Sequence, residues 1–315
     1  MLGLEPGGDG AAGRILVRRV RAEAIDGAWR SSHHERLVDH RYADGRVMMT
    51  VDSSPERGYR IGAPGHGTFR IAADGSLIEC APAPSWRWHR PFFAQALPIA
   101  AGLNRMEVLH ASGVVIDGEA IAFVGHSGAG KTSLAVHLVD QGATLLADDV
   151  VALSSGSPGV TAHPGVPFAN VAAEQIEAIP PPRRSSFGRV VGRSEKLHLL
   201  VSSMATAQAP LRRLYFLERH RDVSRLEFEP LDPPDPGLLL GATFMTHIAD
   251  PARLTTQLDV CSRIATAVPT YRLAIPPGLE PAALAPIVVE HNRATAHRQG
   301  ATAHERPPEG GRSYS

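Results

Sequence analysis

The feature that most constrains this chain is a glycine-rich octapeptide between a strand pattern and a helix pattern. The apolar run of residues 120–124 leads into Gly125-His126-Ser127-Gly128-Ala129-Gly130-Lys131-Thr132, which has the Walker A spacing. Residues 133–139 then have helix character, and Gly142 is a helix stop. Strand, glycine loop and helix in this order are the context that a phosphate-binding loop requires. The sequence therefore predicts an α/β fold that binds a nucleoside triphosphate.

The residue types of this loop fit phosphate chemistry. Glycines let backbone N–H groups turn toward phosphate oxygens and allow close approach, and the following helix adds a favourable dipole. We expect Lys131 to reach the β and γ phosphates and to act in catalysis, and the Thr132 hydroxyl to ligate magnesium. The predicted nucleotide-binding segment is Gly125–Ser133, and the predicted cofactors are ATP and Mg²⁺.

A two-residue turn fixes the strand that precedes the loop strand. Asp117-Gly118 separates two short apolar runs, which is a strong hairpin signal. With 117 and 118 as the turn, residue 116 pairs with 119, and His110 falls opposite Gly125. His110 is therefore a predicted catalytic residue, the alternative being a hydrogen-bonded histidine at a strand end without a chemical role. The antiparallel neighbour makes the predicted sheet mixed.

Two adjacent carboxylates end the next strand pattern. Residues 144–147 predict a short strand that runs directly into Asp148-Asp149. Successive side chains at a strand end point to opposite sides. One carboxylate can contact magnesium, and the other can accept the proton of an incoming hydroxyl. A turn-capping role is the alternative for one member of the pair.

Three segments together resemble the catalytic core of HPr kinase/phosphorylase. They are Leu109–Val114, Gly125–Ser133 and Leu146–Val150. That family's kinase domain is similar in fold to phosphoenolpyruvate carboxykinase. The resemblance implies that the acidic pair supplies the base and a metal contact, and that His110 supports the base. By the order of residues in the family, Asp148 is the expected base and Asp149 the expected metal contact.

The chain also departs from the bacterial regulator of that family. No Arg-Gly-Leu-Gly-type segment follows the acidic pair, and Pro180–His198, rich in Pro, Arg and Ser, takes its place. We predict a long loop there, in which Arg193 and Lys196 contact substrate or phosphate; a solvated loop is the alternative. In this respect the chain resembles the stand-alone HPr-kinase-related proteins, some of which phosphorylate a serine at the end of a lasso-type peptide.

The expected function is transfer of the γ-phosphoryl group of ATP to a hydroxyl, that of a serine, on a protein or peptide. The alternative is a nucleotide-binding regulatory or accessory module with weak ATPase activity. A switch GTPase is disfavoured because the chain has no Asn-Lys-x-Asp motif, and a transport ATPase because it has no Leu-Ser-Gly-Gly signature.

The pattern of turns and apolar runs predicts four regions. Residues 1–13 are a disordered start, 14–100 a small β-rich region, 101–292 the kinase domain and 293–315 a disordered tail. Within the β-rich region, Ala73-Asp74-Gly75 predicts a hairpin turn. The aromatic residues between 86 and 93 predict an interdomain contact leading into a helix near Phe93–Leu103, with a nucleobase platform as the alternative.

Composition limits the partners and the compartment. Lys plus Arg and Asp plus Glu number 32 each, so a nucleic-acid partner is not expected. Cys80 and Cys261 cannot form a disulfide framework, which fits a reducing cytoplasm. No apolar run reaches the roughly 18 residues of a membrane span. The acceptor protein or peptide is the expected partner, and assembly into a homo-oligomer stays open.

Overall fold

The N-terminal part of the protein is a six-stranded sheet with one packed helix. The computed structural model describes residues 15–156 and 159–304. The elements of this part are β1 (Leu16–Arg19), α1 (Ala22–Arg30), β2 (Glu35–Arg41), β3 (Val47–Ser54), β4 (Gly58–Ala63), β5 (Gly67–Ile71) and β6 (Leu77–Pro82). In space the strands follow the order β1-β6-β5-β4-β3-β2, and β1 pairs parallel with β6. The predicted turn at Asp74-Gly75 is confirmed, since β5 and β6 pair antiparallel on either side of it.

A helical segment leaves this sheet and contacts the second half of the chain. It contains a 3₁₀ turn at Trp86–Trp88, α2 (His89–Pro91), a π turn at Phe92–Ala96 and α3 (Leu97–Leu103). Phe92 packs in the core of the N-terminal sheet, while the Phe93 ring lies 5.6 Å from the Phe168 ring of the second half. The aromatic cluster therefore serves as the predicted contact between the two parts.

The second half is built on a nine-stranded mixed sheet and a smaller three-stranded sheet. Its elements, in chain order, are β7 (Glu107–Leu109), β8 (Ala111–Ile116), β9 (Glu119–Val124), α4 (Lys131–Asp140), β10 (Thr144–Ala147), β11 (Val151–Gly156), β12 (Gly159–His163), β13 (Phe168–Val171), α5 (Ala173–Glu177), α6 (Pro181–Phe187), β14 (Gly188–Arg193), β15 (Leu197–Val201), β16 (Ala209–Arg219), β17 (Glu227–Leu231), α7 (Pro236–Ala242), α8 (Pro251–Ala267), β18 (Thr270–Ile275) and α9 (Pro281–His304).

The large sheet follows the order β10-β8-β9-β16-β12-β11-β7, with β18 beside β16 and β17 beside β18. β16 pairs parallel with β9 and β18, whereas β8 pairs antiparallel with β9 and β10. The predicted α/β fold with a mixed sheet is therefore confirmed. Apolar side chains of α4 and α9 cover one face of this sheet, and those of α7 and α8 cover the other.

The long loop predicted over Pro180–His198 is wrong. This stretch forms α6 and the antiparallel hairpin of β14 and β15, and β15 also pairs with β13. Contacts distant in sequence explain the difference. A side chain at Gly192 would meet the Trp86 ring at 2.7 Å, so β14 lies directly against an aromatic residue more than a hundred positions earlier.

The boundary predicted for the disordered tail is also corrected. α9 begins at Pro281 and continues past residue 293, where the tail was predicted to begin, to His304. Residues 293–304 include Ala, Arg and Gln, which are good helix formers despite their polar average. The predicted disordered start, and the tail beyond His304, lie outside the described residues. Within residues 15–156 and 159–304, no helix has both the length and the apolar character to cross a membrane.

Candidate functional site

The glycine loop, residues Gly125–Gly130, leaves the carboxyl end of β9 and enters α4. Gly125, Gly128 and Gly130 have φ of 155°, 85° and 100°, which are values that favour glycine. A Cβ at Gly125 would lie 2.7 Å from the Leu217 carbonyl oxygen on the neighbouring β16. α4 begins at Lys131, directly after the loop. The strand, loop and helix predicted from the sequence thus occupy their predicted positions.

The hairpin before the loop has the predicted register. Ile116 pairs with Glu119 and Ala111 with Val124, so the pairing runs without a slip from the Asp117-Gly118 turn to the end of β8. His110 occupies the junction between β7 and β8, one residue beyond this ladder. Its backbone N–H donates to the Ala242 carbonyl oxygen at 2.8 Å. The junction therefore holds His110 beside the first glycine of the loop.

The acidic pair occupies the facing junction, between β10 and β11. β10 pairs with β8 and β11 pairs with β7, and in both pairings near the junction the residue numbers sum to 260. Continuing that register places Ser112 opposite Asp148. Asp149 has a left-handed φ of 70°, which few non-glycine residues adopt. This local backbone turn points the two carboxylates toward different neighbours.

Asp148 is buried among three hydrogen-bond donors. The hydroxyls of Ser112 and Thr132 donate to its Oδ1 at 2.6 and 2.7 Å, and the Asn170 backbone N–H donates to its Oδ2 at 3.1 Å. Burial raises the pKa of the Asp148 carboxyl, and the Asp149 charge acts in the same direction, while the three hydrogen bonds oppose the rise. Asp148 is 7% exposed, and each of its two carboxylate oxygens accepts at least one hydrogen bond from the protein.

Asp149 has a different environment, beside His110. His110 Nδ1 lies 3.1 Å from the Asp149 backbone oxygen and 3.3 Å from its Oδ1, and His110 Nε2 lies 3.3 Å from Lys131 Nζ. An ammonium group can only donate, so Nε2 accepts from Lys131 and Nδ1–H donates to Asp149. The Asp149 side chain is 43% exposed, which leaves its carboxylate accessible from outside.

The expected contact between His110 and Asp148 is therefore wrong, because His110 contacts Asp149. The reason is the register: Ser112, two residues later on the same chain segment, lies opposite Asp148. Likewise it is Asp148, and not Asp149, whose carboxylate contacts the Thr132 hydroxyl. Of the predicted site residues, the structure brings together His110, Lys131, Thr132, Asp148 and Asp149, but the contacts expected for the two carboxylates are exchanged.

Lys131 lies at the centre of the site. Its Nζ donates to the carbonyl oxygens of Gly125 at 2.7 Å and His126 at 3.3 Å. Burial lowers the pKa of this lysine, and the nearby charges of Asp149 and Asp148 oppose that change. A desolvated cation between carboxylates and backbone dipoles is arranged to meet the charge of a phosphate.

The two residues predicted to contact substrate lie on the β14–β15 hairpin. Arg193 ends β14 and Lys196 precedes β15, and both are exposed. Lys196 is close enough to Lys131 for its charge to contribute to the lowered pKa of that lysine. Lys131 and Lys196 are the two lysines of the chain. The scarcity of lysine is a signal that could have singled out both residues from the sequence.

A hydrogen-bonded chain links this hairpin to Asp148. His198 Nδ1 lies 2.5 Å from the Asn170 side-chain oxygen, and the Ser194 hydroxyl lies 3.0 Å from His198 Nε2. Asn170, in turn, binds Asp148 through its backbone N–H. Sequence reasoning missed Ser112, Asn170 and His198. The hairpin register could have suggested Ser112, but a donor from the backbone leaves no side-chain signal at Asn170.

The oxygen atoms around Thr132 and Asp148 fit a magnesium ion. A hydroxyl and a carboxylate oxygen lie 2.7 Å apart at the end of the glycine loop, and oxygen donors of these two kinds are ones that Mg²⁺ uses together with phosphate oxygens. Among the described residues, no group of three or more His, Cys, Asp and Glu side chains forms a separate metal site. Thr132 and Asp148 are the residues that would hold the ion.

Comparisons with known proteins find a distant likeness to solved structures. No family model matches the chain, and no curated protein matches it. The chain is similar to the HPr(Ser) kinase/phosphatase from Coxiella burnetii, with 13% sequence identity and a TM-score of 0.36. The matched region covers 64% of this chain and 99% of that protein.

Proposed function

We propose that this protein is an ATP-dependent kinase that transfers a γ-phosphoryl group to a serine hydroxyl of a protein or peptide. The observation that carries the proposal is that the two carboxylates of the acidic pair have different environments. Asp148 is buried against Thr132, whereas Asp149 is accessible and held by His110. A site that only binds nucleotide has no need of a second, accessible carboxylate beside the lysine.

In this proposal Asp149 is the base and Asp148 the metal contact, the reverse of the order expected from the family. An accessible carboxylate can receive the proton of an acceptor hydroxyl, and a carboxylate with both oxygens engaged cannot. The contact of His110 Nδ1 with Asp149 orients the base. Through Nε2, the same ring accepts a hydrogen bond from Lys131, which the carbonyl oxygens of the glycine loop also hold.

The reaction balances with these residues. The serine O–H bond breaks, its proton passes to the Asp149 carboxylate, and the serine oxygen forms a bond to the γ phosphorus. The bond between the γ phosphorus and the bridging β oxygen breaks, and ADP leaves. Lys131 neutralises charge on the β and γ phosphates, and backbone N–H groups of the glycine loop bind them. Mg²⁺, when bound, supplies further charge neutralisation at the phosphates.

The decisive experiment follows labelled phosphate from ATP to a serine. The full chain is incubated with Mg²⁺, γ-³²P-ATP and a degenerate library of serine peptides, and phosphopeptides are counted and sequenced. Lys131→Ala is expected to abolish transfer, because it removes the principal cationic contact to the phosphates. Arg212→Ala, which removes a solvent-facing guanidinium paired with Glu119, is the matched control and should leave transfer unchanged.

Two results would contradict the proposal. Full activity of Lys131→Ala would refute the assignment of the glycine loop. Labelled inorganic phosphate from the wild-type chain, with no labelled peptide, would favour a nucleotide-binding module with weak ATPase activity. Labelling of a non-serine hydroxyl would keep the kinase and correct the acceptor.

A further inference from the structure

A cavity of about 510 Å³ borders the acidic pair on the side away from the glycine loop. Asp148, Asp149 and Asn170 line one part of it, whereas no residue of Gly125–Ser133 does. The nucleotide and this cavity would therefore meet at the acidic pair from different sides. A volume in the range of roughly 300–1,000 Å³ is typical of sites for small ligands. A ligand in this cavity would lie beside Asp149, the proposed base.

The wall of the cavity is largely apolar. The helical segment that leaves the N-terminal sheet contributes Phe93, Ala94, Leu97 and Ala101, which lie at helical spacing and so share one face. The opposite wall includes Val166, from the connection between β12 and β13, and Phe168, the first residue of β13. These side chains are partly exposed, although most helix faces of this composition are covered by other parts of the protein.

The apolar wall is also the junction between the two parts of the chain. The N-terminal region supplies the helical face, and the second half supplies the strand connection and the carboxylates. Without the N-terminal region the acidic pair would open to solvent on this side. The N-terminal region therefore contributes directly to the proposed acceptor site, in addition to its own core.

We propose that this cavity binds an apolar side chain adjacent to the acceptor serine, so that the acceptor is a peptide segment with Leu, Phe or a similar residue next to its serine. This inference rests on the proposed function and specifies its substrate class. The occupant is apolar because Phe93, Leu97, Val166 and Phe168 gain burial when it binds. It lies next to the hydroxyl because the cavity is continuous with Asp149, the accessible carboxylate.

The test uses the capped tripeptides Ac-X-Ser-X-NH₂, with X as Gly, Ala, Leu, Phe, Asp or Lys. Phosphorylation by the full chain is measured as kcat/KM with Mg²⁺ and γ-³²P-ATP. Each methylene group buried in the transition state should raise kcat/KM by about fourfold. We expect the Leu and Phe peptides to exceed the Gly peptide by at least about tenfold, and the Asp and Lys peptides to fall below it.

Variants that fill the cavity, compared with a matched control variant, test whether the cavity causes the preference for apolar peptides. Ala94→Leu and Ala101→Leu add a side chain to its wall, and the double variant should reduce the preference for Leu over Gly to within about twofold. Ala24→Leu makes the same change at an exposed position of α1 that does not line the cavity, and it should keep the full preference. Because the peptide ranking is measured on the wild-type chain, the test holds even where a filled variant fails to fold.

Isothermal titration calorimetry of the same peptides separates this inference from the proposed function. Tighter binding of Ac-Leu-Ser-Leu-NH₂ than of Ac-Gly-Ser-Gly-NH₂, lost in the filled variant, supports the cavity assignment even where no phosphoryl transfer occurs. Transfer with equal kcat/KM for the Gly and Leu peptides overturns the inference and leaves the kinase intact. Equal binding of both peptides, with no transfer, overturns both.

Discussion

Two neighbouring carboxylates, Asp148 and Asp149, have opposite surroundings in this protein. The buried one shares its Oδ1 with two hydroxyls, and the accessible one contacts a histidine. Three features produce the difference: the register between β10 and β8, the register between β11 and β7, and the left-handed φ of Asp149. A sequence shows that the two residues are adjacent, but it does not show which one turns inward.

Replacing each carboxylate by an uncharged amide should affect catalysis in a different way. Asp149→Asn should lower turnover by about a hundredfold or more at every magnesium concentration, with nucleotide binding nearly intact, because it removes the proposed base. Asp148→Asn should raise the magnesium concentration needed for half-maximal activity, because it weakens the metal contact. Steady-state kinetics against magnesium distinguishes the two. Exchanged phenotypes would restore the order expected from the family, and two fully active variants would refute the kinase.

His110 should affect turnover rather than nucleotide affinity. His110→Ala removes the hydrogen bond that orients Asp149, which is worth on the order of 1.5–3 kcal/mol, or roughly ten- to a hundredfold in kcat. Fluorescent ATP titration should show little change in Kd. Phe244→Leu, which removes the ring that stacks on His110, is the control for a purely packing role. An equal loss of turnover in both variants would count against orientation by hydrogen bonding.

The two lysines offer a direct measure of how close the hairpin lies to the phosphates. A probe in which an acyl phosphate is attached to ATP transfers its acyl group to lysines beside the bound phosphates. We expect mass spectrometry to find acylated Lys131 and acylated Lys196, and excess ATP to protect both. Protection of Lys131 alone would place Lys196 outside the nucleotide site.

Among the structural elements, the glycine loop and the β8–β9 hairpin could be predicted from the sequence because their signals are local. The Asp117-Gly118 turn sets the register of the hairpin by itself. The three glycines of residues 125–130 all have positive φ, which favours a loop over a continued strand. The β14–β15 hairpin could not be predicted, because Pro, Arg and Ser are common in loops. Its position depends on Trp86 against Gly192 and on pairing of β15 with β13.

Two glycines of the loop should differ in their tolerance of a methyl group. Gly125→Ala would force its Cβ to within 2.7 Å of the Leu217 carbonyl oxygen, so either the loop or β16 must move. In Gly128→Ala the added Cβ has no atom within 4 Å. The left-handed φ at this position, unfavourable for alanine, should lower the free energy of unfolding by about 1–2 kcal/mol. Thermal unfolding with and without ATP should show a lower Tm and a lost ATP-induced shift for Gly125→Ala, and a smaller change for Gly128→Ala. Equal effects would contradict the close approach of the loop to β16.

At the scale of the whole molecule, the cavity beside the acidic pair depends on contacts that no single segment encodes. The helical face of Phe93 and Leu97 was predictable as an apolar contact between two parts of the chain. The gap that remains between this face and Phe168 depends on how the two sheets are placed, which local patterns do not specify. For the same reason the sequence predicts the glycine loop and the hairpin before it, but not the cavity on the other side of the acidic pair.

Buried histidines at this junction should make the stability of the protein depend on pH. His89 and His198 are 7% and 2% exposed, and burial lowers the pKa of both imidazoles. The Nε2 atom of His89 has no hydrogen-bond partner among the described residues, so a proton there would create a buried, unpaired N–H. In His198 the Nε2 atom is already within hydrogen-bond distance of the Ser194 hydroxyl.

The direction of this pH dependence follows from the number of protons that the folded and unfolded states bind. The unfolded chain protonates its histidines near pH 6.5, whereas the folded protein protonates these two at lower pH, so the unfolded state binds more protons in between. The free energy of unfolding should therefore fall as the pH drops below about 6.5, by at most about 1.4 kcal/mol per pH unit for each histidine. Urea unfolding between pH 7.5 and 5.5 measures this slope, in a range above the ordinary pKa values of carboxyl groups. His89→Asn and His198→Asn should each flatten the slope, whereas His33→Asn, at an exposed position, should leave it unchanged. An unaltered slope in both buried variants would show that other groups control the loss of stability in acid.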